Sequence, residues 1–125
     1  MDSPDARSDD RPADNRPADD AGGHPRDAFV VADLVAYQDD SIVSRTLVDE
    51  GSGTQTAFAL DAGQRISEHS APHTAVLHVV DGTGVVTIGD ERYELGAGEA
   101  LVLPPDEPHA VEAESRFKML LSMFR

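Results

Sequence analysis

From residue 42 to residue 124 the chain is a succession of short apolar runs, punctuated at almost every joint by glycine or proline. Runs at 42–48, 54–60, 65–69, 75–80, 85–88, 91–95, 100–103, 109–113 and 116–124 have strand length and β-branched or aromatic content. Between them stand GSG at Gly51, DAG at Asp61, DGTG at Asp81, GD at Gly89, GAG at Gly96 and PPDEP at Pro104. Each supplies a residue that tolerates positive φ or one that fixes φ, as chain reversal requires. No helical period is sustained after Tyr37. The pattern predicts an all-β sandwich or barrel, with FVVADLVAYQDD at 29–40 docking against it as a short strand or helical turn.

Two of these segments carry histidines at strand ends. GQRISEHSAPHTAVLHVVDG, residues 63–82, places His69 and His73 around a proline turn, and GEALVLPPDEPH, residues 98–109, ends in His109 after a Pro-Pro turn. Imidazoles gathered at strand ends are one way a β-barrel builds a metal or ligand site.

The spacing resembles the two motifs of the cupin superfamily. Gly63 and His69 fall on the opening glycine and first histidine of the first motif and Gly82 on its closing glycine, while Gly98, Pro104 and His109 match the second motif. Four positions depart from it: Ala71 stands for the second histidine, Ala75 for the glutamate, Asp106 for a glycine and Ala113 for the terminal asparagine. SIVSRTLV, SEHSAP, VTIGDERYELGAGEALVLPPDEPHAV and RFKMLLSM are similar to small single-domain cupins of mostly unassigned function. The resemblance covers 29–125 and implies the double-stranded β-helix, or jelly-roll barrel. It also implies a metal site that has lost half its usual ligands.

Strand alternation sorts the side chains by face. With His69 inward, Arg65 and Ser67 share its side and Ile66 and Glu68 face away. Ala75, Leu77 and Val79 take the inward parity of the family glutamate, leaving His78 outside, and His109, Val111 and Ala113 share one face. The expected pocket is lined by Ala71, Ala75, Leu77, Val79, Val111 and Ala113, with His69 and His109 as its polar groups and His73 at its mouth. Arg65 and Tyr93 are candidate contacts to a polar or anionic ligand. Glu68, Asp106 and Glu107 read as surface charge. His73 joins the other two imidazoles only if Pro72 turns the chain back, because four residues of straight strand would carry it ~13 Å from His69.

Two functions follow from different classes. One is a binding module that holds a small molecule, with or without a metal. The other is a metal-dependent enzyme of dioxygenase or isomerase type, with His69, His73 and His109 as metal ligands. Neutral imidazoles suit Zn, Fe, Mn, Ni and Cu alike. The loss of two family ligands favours the binding module. No glycine-rich phosphate cradle opens a helix, and no serine sits on a strand-to-helix elbow.

Composition bounds the rest. The chain has 125 residues, enough for one domain, and no cysteine, which removes disulfides, thiolate ligands and cysteine nucleophiles together. No run approaches the ~18 apolar residues of a membrane helix, and the first residues lack the apolar stretch of a signal peptide, so a cytoplasmic location is expected. Net charge is −14, with 24 acidic and 10 basic residues, of which only Lys118 is a lysine. That balance excludes a phosphate-neutralising nucleic-acid surface and is the pattern of proteins adapted to concentrated salt, where screening is strong. Residues 1–28 hold eight Asp, four Arg and a tandem RPADN-RPADD, with no large apolar residue after Met1. They are expected to form a disordered acidic tail ahead of the 29–125 barrel. Phe117, Met119, Leu121, Met123 and Phe124 offer more apolar strand than one small interior was expected to cover, which predicts a homodimer.

Overall fold

The computed structural model describes residues 27–125, and the tail expected at 1–28 lies almost wholly outside them. Within the described residues a 3-10 turn at Val31–Asp33 precedes eight strands: β1 (Ile42–Glu50), β2 (Gly53–Leu60), β3 (Arg65–His69), β4 (Thr74–Ile88), β5 (Glu91–Gly96), β6 (Ala100–Leu103), β7 (His109–Glu112) and β8 (Phe117–Phe124). All pairings are antiparallel. The order is β1-β2-β8-β4-β7-β3, with β5 and β6 both added to β4. The expected all-β barrel is therefore present.

One expected turn is absent. DGTG at 81–84 does not separate two strands but bends one 15-residue strand, β4, from one wall to the other. Its first half pairs with β6 and β8, and its second half pairs with β5 and β7. Glycine makes that bend sterically feasible. Gly82 has φ 74°, and a Cβ there would run into the Arg116 carbonyl oxygen. At Gly84 the added atom would meet the Phe117 ring. The aromatic ring thus closes the corner where a side chain on β4 would otherwise stand.

The core lies between the two walls. Leu77, Leu103, Met119 and Phe117 come from β4, β6 and β8, and Val86, Leu95 and Val111 face them from the other wall. A second cluster covers the outside of the β1-β2-β8 wall, where Leu34 and Val35 of the N-terminal arm pack on Ala57, Ala59, Val43, Leu47 and Leu120. The arm is clamped at its far end. Tyr37 donates its hydroxyl to Asp81 Oδ2 at 2.6 Å, and its ring lies under Arg116 and Lys118 at 5.2 and 4.9 Å. Arg116 bonds Asp61 and Asp39 at 2.7 and 2.8 Å.

The C-terminal strand spends its apolar residues differently from expectation. Phe117 and Met119 are buried core, and Leu121 and Met123 pack against it. Only Phe124 remains exposed, at 55%.

Candidate functional site at the histidine end of the barrel

The site is built where β3 and β7 pair. The register joins Ile66 to Val111 and His69 to His109, with a bulge between the two pairs. That bulge changes which side chains point inward. Ile66 packs on the core, so Arg65, in register with the exposed Glu112, takes the outer face rather than sharing the side of His69. Parity counted back from His69 fails here because the strand is not regular.

His69 and His109 meet edge to face, ring centroids 4.4 Å apart at 68°. Both rings are held in the same manner. His69 Nδ1 lies 3.0 Å from the Ser67 carbonyl oxygen, and His109 Nδ1 lies 3.2 Å from that of Glu107. A carbonyl can only accept, so each Nδ1 donates, and in the neutral ring this leaves the lone pair on Nε2. His109 is 8% exposed, and burial pulls its pKa below the ordinary imidazole value. The hydrogen bond to Glu107 opposes that shift and the neighbouring His69 reinforces it. With both rings neutral, the pair offers two acceptor nitrogens.

The loops that frame this end are tied to one another by their backbones. Asp106 N–H donates to Ala71 O at 2.7 Å, joining the 104–108 loop to the 70–73 loop, and Gly89 N–H donates to Pro108 O at 3.1 Å. Asp106 adopts φ 65° where the cupin motif has glycine, an αL position that aspartate tolerates better than most residues.

The expected lining residues divide in two. Leu77, Val79, Val111, Ala75 and Ala113 are all buried in the hydrophobic core. Ala71 and His73 are half-buried in the loop between β3 and β4. His78 is exposed on the outer parity of β4. Two residues of this end, Ile88 and Glu91, are not part of the expected pocket, and Tyr93, expected as a candidate ligand contact, stands beside them. The register continues from His109 to Ile88 and from Ile88 to Glu91, and in the adjoining row from Val111 to Val86 to Tyr93. Ile88 and Tyr93 pack on the core, and Tyr93 donates its hydroxyl to Glu91 Oε1 at 2.6 Å. A cross-strand row becomes visible only once strand pairing is known; the sequence showed only that Tyr93 and Glu91 lie two residues apart.

A cupin metal centre needs more donors than this. Among the described residues no three His, Cys, Asp or Glu side chains are grouped to hold an ion. Two imidazoles with free Nε2 atoms match a metal in donor type. They fall short of the three protein ligands of an open catalytic site.

An antiparallel barrel folded from a two-walled sheet, with a histidine from each of two paired strands at one end, defines a double-stranded β-helix protein. The chain belongs to the cupin family: the cupin-domain family model matches residues 57–123. Among solved structures it is similar to the conserved SPY1581 protein of unknown function from Streptococcus pyogenes, at 33% identity over 83% of this chain and 91% of that one, TM-score 0.78. It is also similar to a cupin 2 conserved barrel domain protein from Leptotrichia buccalis, at 38% identity over 78% of this chain and 47% of that one, TM-score 0.76. A cupin superfamily protein from Desulfitobacterium hafniense shares the fold at 21% identity, covering 82% of this chain and 94% of that one, TM-score 0.77. No curated protein matches the chain.

Proposed function

We propose that this cupin domain binds a small molecule at the His69–His109 end of the barrel. The observation that carries the reading is the fixed pair of imidazoles, ring centroids 4.4 Å apart, with both Nδ1 atoms directed at backbone carbonyls. Holding two rings in one tautomer costs side-chain freedom, and it leaves two directed acceptors at an end of the barrel where His69 is exposed. Ala75 and Val111 form the apolar floor, and Ala71 and His73 the rim.

The enzyme reading keeps one observation in its favour, since neutral imidazoles with free Nε2 atoms are the form a divalent metal takes up. The fold is also shared at 20% identity by salicylate 1,2-dioxygenase from Pseudoaminobacter salicylatoxidans. Against it stands the missing third donor. Titration calorimetry on chelator-treated protein separates the two. We expect Zn, Fe, Mn, Ni and Cu ions to bind no tighter than the micromolar range, and Ala71→His with Ala75→Glu to raise affinity at least tenfold. Submicromolar uptake by the natural chain, lost in both His73→Phe and His109→Phe, would move the metal enzyme ahead. For the binding reading, mass spectrometry of protein purified without an affinity tag should find a retained organic molecule that His109→Phe no longer carries.

Assembly as a homodimer is part of the proposal. Val102 and Phe124, 57% and 55% exposed, lie on the outer face of the β4-β6-β8 wall, where Val102 is in register with Val76 and Phe124 with Thr74.

A further inference from the structure

The inward row that begins with the histidine pair does not end there. His69, His109, Ile88 and Glu91 are consecutive partners across β3, β7, β4 and β5. Side chains of register partners share a face, so Glu91 stands on the same wall as the two imidazoles. Adjacent strands are ~4.8 Å apart, which places the Glu91 backbone roughly 10 Å from that of His109. Ile88 lies between them as an apolar floor. Tyr93, in the next row and packed on the core, closes the row by donating to Glu91. That hydrogen bond, then burial and the charges of Glu91 and Glu107, push the Tyr93 phenol up, so it stays protonated.

The basic residues among those described are all directed elsewhere. Arg45 and Lys118 bond carbonyls of the N-terminal arm, Leu34 O and Ala32 O. Arg116 holds Asp39 and Asp61, and Arg125 bonds Glu50 O. Arg92 alternates with Glu91 and Tyr93 and pairs with Glu114, and Arg65 shares the outer face of β7 with Glu112. Among the described residues, no lysine or arginine faces the ligand end. Two acceptor nitrogens at one end of the row and a carboxylate at the other make a wall without a positive charge, in a chain of net charge −14.

Building on the binding reading, we infer that the ligand is a neutral or cationic molecule rich in hydrogen-bond donors. Hydroxyls address the Nε2 atoms of His69 and His109, and an amine or further hydroxyl about 10 Å away meets Glu91. Carboxylates and phosphates are disfavoured, because the imidazoles are presented as acceptors and the far end is already anionic. Glu91 and Tyr93 are then specificity-determining residues of the site.

The test uses the full-length chain after chelator treatment and three aromatic probes of similar size: tyramine, catechol and salicylate. Binding is read from the histidine ring proton resonances by NMR titration, with His69 and His109 assigned by their glutamine variants. Tyramine and catechol should shift both histidines, with salicylate at least tenfold weaker. Glu91→Gln should weaken tyramine by fivefold or more and catechol by less than twofold, while Glu112→Gln on the outer face should change neither. Salicylate binding as tightly as tyramine at the histidines would overturn the charge preference and leave the binding reading standing. If no probe of any charge moved His69 or His109, both would fall together.

Discussion

The ring of Phe117 occupies the space that a side chain on Gly84 would need: an added Cβ would lie 2.6 to 2.8 Å from three ring carbons. Phe117 is fully buried and sits at the corner where β4 passes from one wall to the other. Neither side can give. Gly84→Ala is expected to destabilise the barrel by about 1–3 kcal/mol, the usual cost of overpacking a close-packed core. Urea unfolding should show a lower midpoint with unchanged slope. A midpoint shift worth less than ~0.5 kcal/mol would mean that the corner is plastic.

The clamp on the N-terminal arm gives the fold an acid limit. Arg116 bonds Asp61, and the Asp40 backbone N–H bonds the same carboxylate at 2.6 Å. Together these lower the Asp61 pKa to about 2, the Arg116 bond contributing most. A carboxylate with a lowered folded pKa binds fewer protons folded than unfolded, so its stabilisation is present above the unfolded value of ~3.9 and lost as pH falls towards 2. Stability should therefore decline between about pH 4 and pH 2, and Asp61→Asn should be less stable at pH 7 with a flatter decline in that window. Parallel curves for the two proteins would remove Asp61 from the account.

Much of this architecture was readable before any pairing was known, because glycine and proline mark reversals wherever they fall. Gly63 and Gly98 take φ 89° and 93° at the openings of the two motifs, as their positions in the resemblance imply. The DGTG segment misled for a local reason, since glycines that permit a turn also permit a bend within one strand. Arg65 misled because a single bulge inverts parity beyond it. Glu91 was out of reach for a different reason: its relation to His109 runs through two strand pairings and is written nowhere along the chain.

Asp106 provides a test of the rim. At φ 65° a residue branched at Cβ is strained by about 1–2 kcal/mol, and the Asp106 N–H is also the link to Ala71 that ties two loops together. Asp106→Val should lower stability by that order and loosen the rim, while Asp106→Gly, which restores the family residue, should fold at least as well with the link intact. Thermal unfolding of both variants decides it; equal loss in the two would show that the carboxylate, not the backbone, matters at this position.

Assembly has a surface that can be challenged directly. Val102 and Phe124 are exposed on the same face of one wall, and isolated apolar residues of this size on a charged surface mark a contact only if they are covered together. Sedimentation at ~50 µM in concentrated salt should give a dimer for the natural chain and a monomer for Val102→Asp with Phe124→Ser. A monomeric natural chain would end the proposal, and a dimeric double variant would move the interface elsewhere.

Salt should act on the whole fold rather than on single pairs. The described ion pairs Arg92–Glu114 and Arg116–Asp39 are exposed, and such pairs are worth ~0–1 kcal/mol each, which salt reduces. Against that small loss stands the mutual repulsion of a chain with 24 acidic and 10 basic residues. Dilution from about 1 M to 0.1 M salt lengthens the Debye length from ~3 to ~10 Å, so each carboxylate begins to feel neighbours across the surface as well as beside it. The excess of like charge outweighs the few pairs. The midpoint of thermal unfolding should therefore fall on dilution, most steeply below ~0.3 M, where the Debye length changes fastest. Sodium chloride and potassium chloride should behave alike, since screening depends on ionic strength and not on the cation. A midpoint that stayed level or rose on dilution would mean that the acidic surface is already spread widely enough to be harmless, and the reading of adaptation to concentrated salt would be withdrawn.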